Sequence, residues 1–294
     1  VTKERDYSKN PPAHEREEGV IWFTDLIEKY PPKPPKVDID PKKDLCLLFF
    51  TGGSTGIPKG VMLTHYEITA CTKLTFGSMM PQSVLRLLDG FFTTIIPLPL
   101  CHLYGQEIYR YVMALGCTIL LQTDPRDVEE YVRLAKKYHP LFTPMSPTQY
   151  GRMAKEDVGD LGILGLSGSM ALAPKTQEGF EKKTKSVLIE AHGLSETSGA
   201  TLSPTAMDIF APLLGGRETA SKIFHLLDRI LTMPGITPLM RMGMGLIGRI
   251  NLGAIVNRSM PLISSIMPSA SDSKRELTTS VGYPLVDEEF KVVD

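Results

Sequence analysis

Between two apolar runs, Leu45–Phe50 and Val61–Leu63, lie ten residues that hold four glycines, three hydroxyls and one lysine. No other stretch narrows the choice of backbone as far. Glycine admits positive φ and lets backbone amides approach a ligand closely. Successive N–H groups in such a bend form an anion-binding nest. Gly52, Gly53 and Gly56 supply the bend, Thr51, Ser54 and Thr55 add hydroxyl donors, and Lys59 adds a mobile positive charge. The set suits a polyphosphate. It is not a Walker A loop, which needs Gly before the Lys and Ser or Thr after it; here Pro58 and Gly60 flank Lys59. Composition alone fits equally a glycine-rich turn between two strands. Leu45–Phe50 reads as a buried strand, and Thr64 as the cap of a helix over Tyr66–Met79.

Downstream, apolar runs alternate with helical patterns. Phe91–Leu98, Cys117–Leu121, Leu141–Pro144, Leu161–Leu166 and Val187–Ala191 read as strands, and Leu103–Leu115 and Pro174–Lys183 as helices between them. Asp124-Pro125 has the order of an N-cap followed by a first-turn proline, and Val128, Tyr131, Val132, Ala135 and Tyr138 recur at helical period. Strands that are continuously apolar, separated by helices, predict an α/β fold: a mainly parallel sheet covered on both faces. Ligands of such sheets bind outside the carboxyl ends of the strands.

The flanks read differently. Val1–Glu18 is polar and charged with no leader-like apolar stretch. Val20–Tyr30 predicts a short amphipathic helix packed through Ile21 and Ile27, stopped by Pro31–Pro35. Asp208–Ser280 breaks the alternation and holds six of the 14 methionines (Met233, Met240, Met242, Met244, Met260 and Met267). Ala220–Met233 is amphipathic, and Arg241, Arg249 and Arg258 interrupt the apolar text that follows. Two readings stand for this insertion: a helical subdomain packed on the body, or a greasy cover or interfacial segment that makes peripheral membrane contact. The net charge of −1 gives no electrostatic case for nucleic acid. Cys46, Cys71, Cys101 and Cys117 lack C-x-x-C spacing; Cys46 and Cys117 sit in strand-like runs and read as buried free thiols of a reducing, cytoplasmic compartment. No apolar run reaches a membrane span's length.

Thr51–Gly60 followed by Leu63-Thr64-His65 resembles the phosphate-loop signature of the adenylate-forming superfamily: acyl-CoA synthetases, luciferases and peptide-synthetase adenylation domains. Gly53 stands where the family often has Thr or Ser. Asp40–Asp44 is similar to the acidic approach that precedes that loop. Pro99–Gly105 resembles the Pro-x-x-His-x-x-Gly segment, which implies that His102 lies beside the carboxylic-acid substrate. Ser167–Leu172 resembles Ser-Gly-Gly-Ala-Pro-Leu, which implies that the backbone of Ser169, Met170 and Ala171 lies along adenine; Met170 and Ala171 depart from the pattern. His192–Glu196 resembles Tyr-Gly-x-Thr-Glu. The resemblance implies that His192 replaces the aromatic that stacks on adenine, that Gly193 and Leu194 line nucleotide and acid, that Ser195 faces the α-phosphate, and that Glu196 holds Mg²⁺. Val281–Leu285 and Phe290–Asp294 are similar to the Gly-x-Pro-Leu segment and the strand after it, and Thr143–Tyr150 shares the family's flavour.

The chemistry implied is ATP-dependent activation of a carboxylic acid, of medium or long chain, to acyl-AMP and then, with coenzyme A, to acyl-CoA, with Lys59, Ser195 and Glu196 carrying the reaction. The resemblance covers about Asp38–Pro204 and Val281–Asp294. It implies part of the large N-terminal domain of such an enzyme, not competent alone. The expected organisation is an extended segment over 1–38, a nucleotide- and acid-binding core over 39–207, the insertion over 208–280 and a return strand over 281–294. A second class stays open: a non-catalytic nucleotide-binding or membrane-surface module on the same fold.

Overall fold

The computed structural model describes residues 21, 23–51, 57–79, 81–122, 124–203, 211, 214–246, 252–266 and 283–284. In chain order the elements are α1 (Phe23–Lys29), β1 (Leu45–Thr51), β2 (Lys59–Thr64), α2 (His65–Met79), α3 (Gln82–Leu88), β3 (Thr93–Ile96), α4 (Leu103–Ala114), β4 (Thr118–Leu121), α5 (Val128–Tyr138), β5 (Phe142–Met145), α6 (Pro147–Met153), β6 (Leu164–Ser167), α7 (Pro174–Thr184), β7 (Val187–Glu190), β8 (His192–Leu194), β9 (Gly199–Ser203), α8 (Arg217–Leu231), α9 (Ile236–Leu246), α10 (Leu252–Ile266) and β10 (Tyr283–Pro284). Two compact units divide at Asp40. In the first, α1 carries Asp25 in its first turn and Lys29 in its last, charges that complement the helix dipole. Ile21 and Ile27, expected to pack, are exposed.

The second unit is built on a five-stranded parallel sheet of order β4-β3-β5-β6-β7. The chain leaves β3 outward to β4, then returns past it to β5, so the sheet is doubly wound. Its strands are apolar runs because both faces are covered. On one face Ile95, Met145, Ile163 and Leu188 pack with Tyr131 of α5, Tyr150 and Met153 of α6 and Phe180 of α7. On the other, Ile96, Leu166, Val187 and Ile189 pack with Ile108, Tyr111 and Val112 of α4 and Met260 of α10. Each such side chain stabilises by about 1.5–3 kcal/mol when fully buried.

Helix starts follow local chemistry. At α2 the Thr64 N–H donates to the Glu67 carboxylate at 2.7 Å and the Glu67 N–H to the Thr64 hydroxyl at 3.3 Å, a reciprocal capping box. Ser146 and Gln149 repeat the device at α6, ahead of Pro147. The cap of α5 is Asp127, whose carboxylate accepts from Glu130 N–H at 2.8 Å, and not Asp124. Asp124 is instead occupied by Arg126, whose backbone N–H and Nε both donate to it at 2.9 Å; this pairing holds its carboxyl below the usual range.

Leu45–Phe50 is not a buried strand of the sheet. Among the described residues β1 pairs antiparallel with β2 alone, as a two-stranded ribbon. Leu47, Phe49, Val61 and Leu63 turn inward onto Ile68 of α2 and Leu103 of α4. Phe50 and Met62 face outward, 69% and 65% exposed. The thiol expectation changes accordingly: Cys46 is exposed, Cys117 half-buried and Cys71 buried.

The 208–280 stretch is helical where it is described. α8 packs on α3 through Ala220, Phe224 and Leu231, and Ser83 of α3 donates to Asp228 at 2.5 Å. Arg241 of α9 donates to the Arg86 carbonyl and lies 3.5 Å from Asp89. α10 packs against β7.

Candidate nucleotide- and acid-binding site

Parallel strands put their carboxyl ends on one edge, and the loops after β3, β5, β6 and β7 are therefore neighbours there. Adjacent strands lie about 5 Å apart, so the ends of β3 and β7 are separated by roughly 14 Å, a span that a nucleotide and an acyl group can bridge. Following β3, Pro97–Cys101 leads into His102, which caps α4: its Nδ1 accepts from Tyr104 N–H at 3.2 Å. That bond leaves Nε2 as the protonated nitrogen of the neutral ring. The His102 side chain is exposed, at the sheet edge where the resemblance expects the acid.

After β6 come Gly168 and Ser169, the latter in the left-handed region with φ 78°. Met170 is exposed. Leu172 N–H donates to the Glu190 carboxylate at 2.9 Å, which ties this loop to the end of the adjacent β7. Partial burial raises the Glu190 carboxyl above its usual range. Tyr104 reaches across to donate its hydroxyl to Leu166 O of β6 at 2.9 Å, so the His102 loop and the Ser169 loop are fastened to each other.

After β7 the chain forms β8, a single 3₁₀ turn over Ser195–Thr197, and β9, which pairs antiparallel with β8 and with β10. His192 is exposed, with Nδ1 3.0 Å from the Thr201 hydroxyl. Gly193 has no alternative: a Cβ there would stand 2.5 Å from the Gly199 carbonyl oxygen of β9. Thr197 Oγ1 lies 3.0 Å from the carbonyls of both Leu194 and Gly199 and closes the turn. Within it Ser195 is half-buried and Glu196 exposed.

Ser169–Ala171 and His192–Glu196 are thus brought together on adjacent strand ends, with His102 farther along the same edge. Thr51 and Lys59 face each other across the mouth of the β1–β2 ribbon, and the Thr51 hydroxyl lies 3.5 Å from Lys59 O. Gly52, Gly53, Ser54, Thr55 and Gly56 lie outside the described residues, as do 281–282 and 285–294. α2 is a shared support, packing against β1, β2, α4 and β9.

Among the described residues no group of three or more His, Cys, Asp or Glu side chains could cage a metal. One exposed carboxylate, Glu196, fits Mg²⁺ in the form that ion usually takes beside phosphates: one or two protein carboxylates, with phosphate oxygens and water completing the shell. Reading motifs missed Glu190, Tyr104 and Thr197, because each acts by bonding backbone. An acid that closes the apolar run Val187–Glu190 was the one available signal.

These features define a doubly wound α/β domain with the candidate loops on its carboxyl edge. The chain belongs to the AMP-binding enzyme family, which it matches over residues 2–222. It is 36% identical over 171 residues to a long-chain-fatty-acid–CoA ligase of Bacillus subtilis, covering 55% of this chain and 29% of the relative. It is 29% identical over 186 residues to a 4-coumarate–CoA ligase-like protein of Oryza sativa, covering 58% and 32%. The fold is shared with an anthranilate CoA ligase in complex with anthranoyl-AMP (TM-score 0.57, 20% identity, 66% of this chain and 38% of that one). It is also shared with ATP-bound MatB of Rhodopseudomonas palustris (TM-score 0.52, 21% identity, 60% and 34%). The chain spans about a third of the length of these relatives.

Proposed function

We propose that this chain carries the nucleotide- and acid-binding part of an acid–CoA ligase that activates a medium- or long-chain fatty acid. The observation that carries this reading is the placement of the Ser169–Ala171 loop and the His192–Glu196 turn after the paired ends of β6 and β7, in a chain of the AMP-binding family. In the reaction a carboxylate oxygen attacks the α-phosphorus of ATP, the α–β bridging bond breaks and pyrophosphate leaves. The thiol of coenzyme A then attacks the acyl carbonyl and AMP departs. Two anions must meet in the first step. Lys59 and the amides of the glycine loop offset their repulsion, Ser195 orients the α-phosphate, and His102 faces the acid. Glu196 would hold Mg²⁺, which would neutralise further phosphate charge. The fatty-acid assignment rests on the higher identity to a fatty-acid ligase than to the 4-coumarate-type relatives.

Stable acyl-sulfamoyl adenosines test this reading, because mimics of a bound intermediate bind far more tightly than substrates. Calorimetric titration of the chain is expected to show a dodecanoyl analogue binding at least about tenfold more tightly than a 4-coumaroyl one, as burial of several methylenes dictates. Equal or reversed affinities contradict the fatty-acid assignment. No binding of either contradicts the nucleotide site itself and favours a module without this chemistry.

We also propose a lipid surface as a partner of the 208–280 insertion. Leu226 and Ile230, at i and i+4 on α8, and Met233 just beyond its end remain exposed, flanked by Arg229 and by Lys222, which is paired with Glu218 at 2.7 Å. An apolar stripe edged by cations suits an anionic phospholipid interface. No helix among the described residues is long and apolar enough to cross a membrane. The double variant Leu226→Asp/Ile230→Asp is expected to lower co-sedimentation with phosphatidylglycerol vesicles about tenfold. An unchanged bound fraction refutes the contact.

A further inference from the structure

The turn that carries Ser195 and Glu196 is held from behind by α4. Ala200 N–H donates to the Glu107 carboxylate at 2.5 Å. Arg110 Nη2, one helical turn on, donates to Ser198 O at 3.3 Å. Between these two anchors lies Gly199 at φ 146°, where a Cβ would stand 2.4 Å from the Glu107 carboxyl carbon. Three consecutive residues directly after the 3₁₀ turn are therefore fixed by one helix face. The same carboxylate accepts from Tyr111 O–H, and the Tyr111 hydroxyl lies 2.8 Å from Thr75 Oγ1 and 3.7 Å from Cys71 Sγ, both on α2. α2 in turn supports the ribbon that ends at Lys59.

This arrangement is unfavourable for folding taken alone. Glu107 is 5% exposed, and burial pushes its carboxyl up to about 7. Arg110 Nε and Nη1 are buried with no hydrogen-bond partner among the described residues. Buried groups left in this way cost stability, and a well-packed apolar face would avoid that cost. α4 is also capped by His102, five residues and about 7.5 Å along the axis before Glu107. One rigid element thus joins the acid end of the edge to the turn bearing Glu196.

We propose that Glu107, with Arg110, is a positioning residue that sets the Ser195–Glu196 turn in register with His102. The inference rests on the nucleotide- and magnesium-binding reading given above. Its test combines two measurements on the 294-residue chain. Hydrogen exchange over residues 195–201 reports the turn directly. In Glu107→Leu and, separately, in Arg110→Gln, exchange there is expected to accelerate at least about tenfold, while α7 and β7 keep their protection. Calorimetry with ATP, with and without Mg²⁺, reports the consequence. Glu107→Leu is expected to lose the magnesium-dependent gain in affinity while binding metal-free ATP within about twofold of the parent, and Glu107→Gln, which can still accept from Ala200 N–H, to retain it. Unchanged exchange over 195–201 in both variants, or a full magnesium-dependent gain in Glu107→Leu, overturns the proposal. If Glu107→Leu fails to fold, Arg110→Gln decides on the same readouts. A parent chain that shows no magnesium-dependent binding defeats the functional reading, while the exchange data still judge whether Glu107 fixes the turn.

Discussion

Phe180→Ala is expected to destabilise the chain by about 3–5 kcal/mol. Phe180 projects from α7 into the face of the sheet lined by Ile95, Met145, Ile163 and Leu188, and it is fully buried. Its ring meets Tyr150 of α6 edge-on, with centroids 4.8 Å apart and planes at 68°. Truncation removes the transfer free energy of the ring, leaves a cavity and forfeits the aromatic contact, itself worth about 0.5–1.5 kcal/mol. The surroundings cannot collapse readily: Tyr150 is held by its hydroxyl, which donates to Thr143 O at 2.6 Å. Tyr131 is likewise tied to Thr143 Oγ1 at 2.8 Å. Phe180→Leu keeps most of the volume and is expected to cost under half as much. Urea unfolding followed by circular dichroism provides the check. A loss below about 1 kcal/mol for the alanine variant contradicts the assignment of this face as the principal core.

Lys59→Ala is expected to weaken MgATP binding by about 10- to 100-fold, the worth of one charge-assisted hydrogen bond at about 1.5–3 kcal/mol. Lys59 opens β2 opposite Thr51, with its side chain exposed. Nothing in the core depends on it, so the unfolding midpoint should remain that of the parent. Lys59→Arg keeps the charge but exchanges a compact ammonium for a planar fork, and is expected to fall between. Isothermal calorimetry measures all three. An alanine variant with the parent's affinity removes Lys59 from the phosphate site.

Much of the parallel sheet was legible because its strands are short apolar runs separated by helices, and that text has few other solutions. Leu45–Phe50 has the same composition yet forms a half-exposed ribbon. Its two faces, Leu47 and Phe49 against Leu48 and Phe50, are equally apolar, so no alternation distinguished inside from outside. The start of α5 was misplaced by three residues because two aspartates compete there. Arg126 decides between them: its backbone N–H and Nε occupy the Asp124 carboxylate at 2.9 Å, which leaves Asp127 to cap the helix, and Gln122 Nε2 braces the intervening turn through the carbonyls of both aspartates at 2.9 and 2.6 Å. At the candidate site, the apolar runs set the strand ends and the family resemblance marked His102, Ser169 and Glu196 just after them. The groups that hold those loops, Glu190, Thr197 and Glu107, were illegible because each bonds backbone distant in sequence or within a turn whose shape the sequence does not display.

We propose that Lys59, with the glycine-rich sequence before it, and the turn bearing Glu196 take up one MgATP between them. Calorimetric titration of the chain with ATP, in magnesium and again in excess chelator, tests it most directly, with Glu196→Gln run in parallel. One saturable site is predicted, tightened at least about tenfold by magnesium in the parent and not in the variant. Absence of saturable ATP binding, or a magnesium effect that survives Glu196→Gln intact, contradicts it.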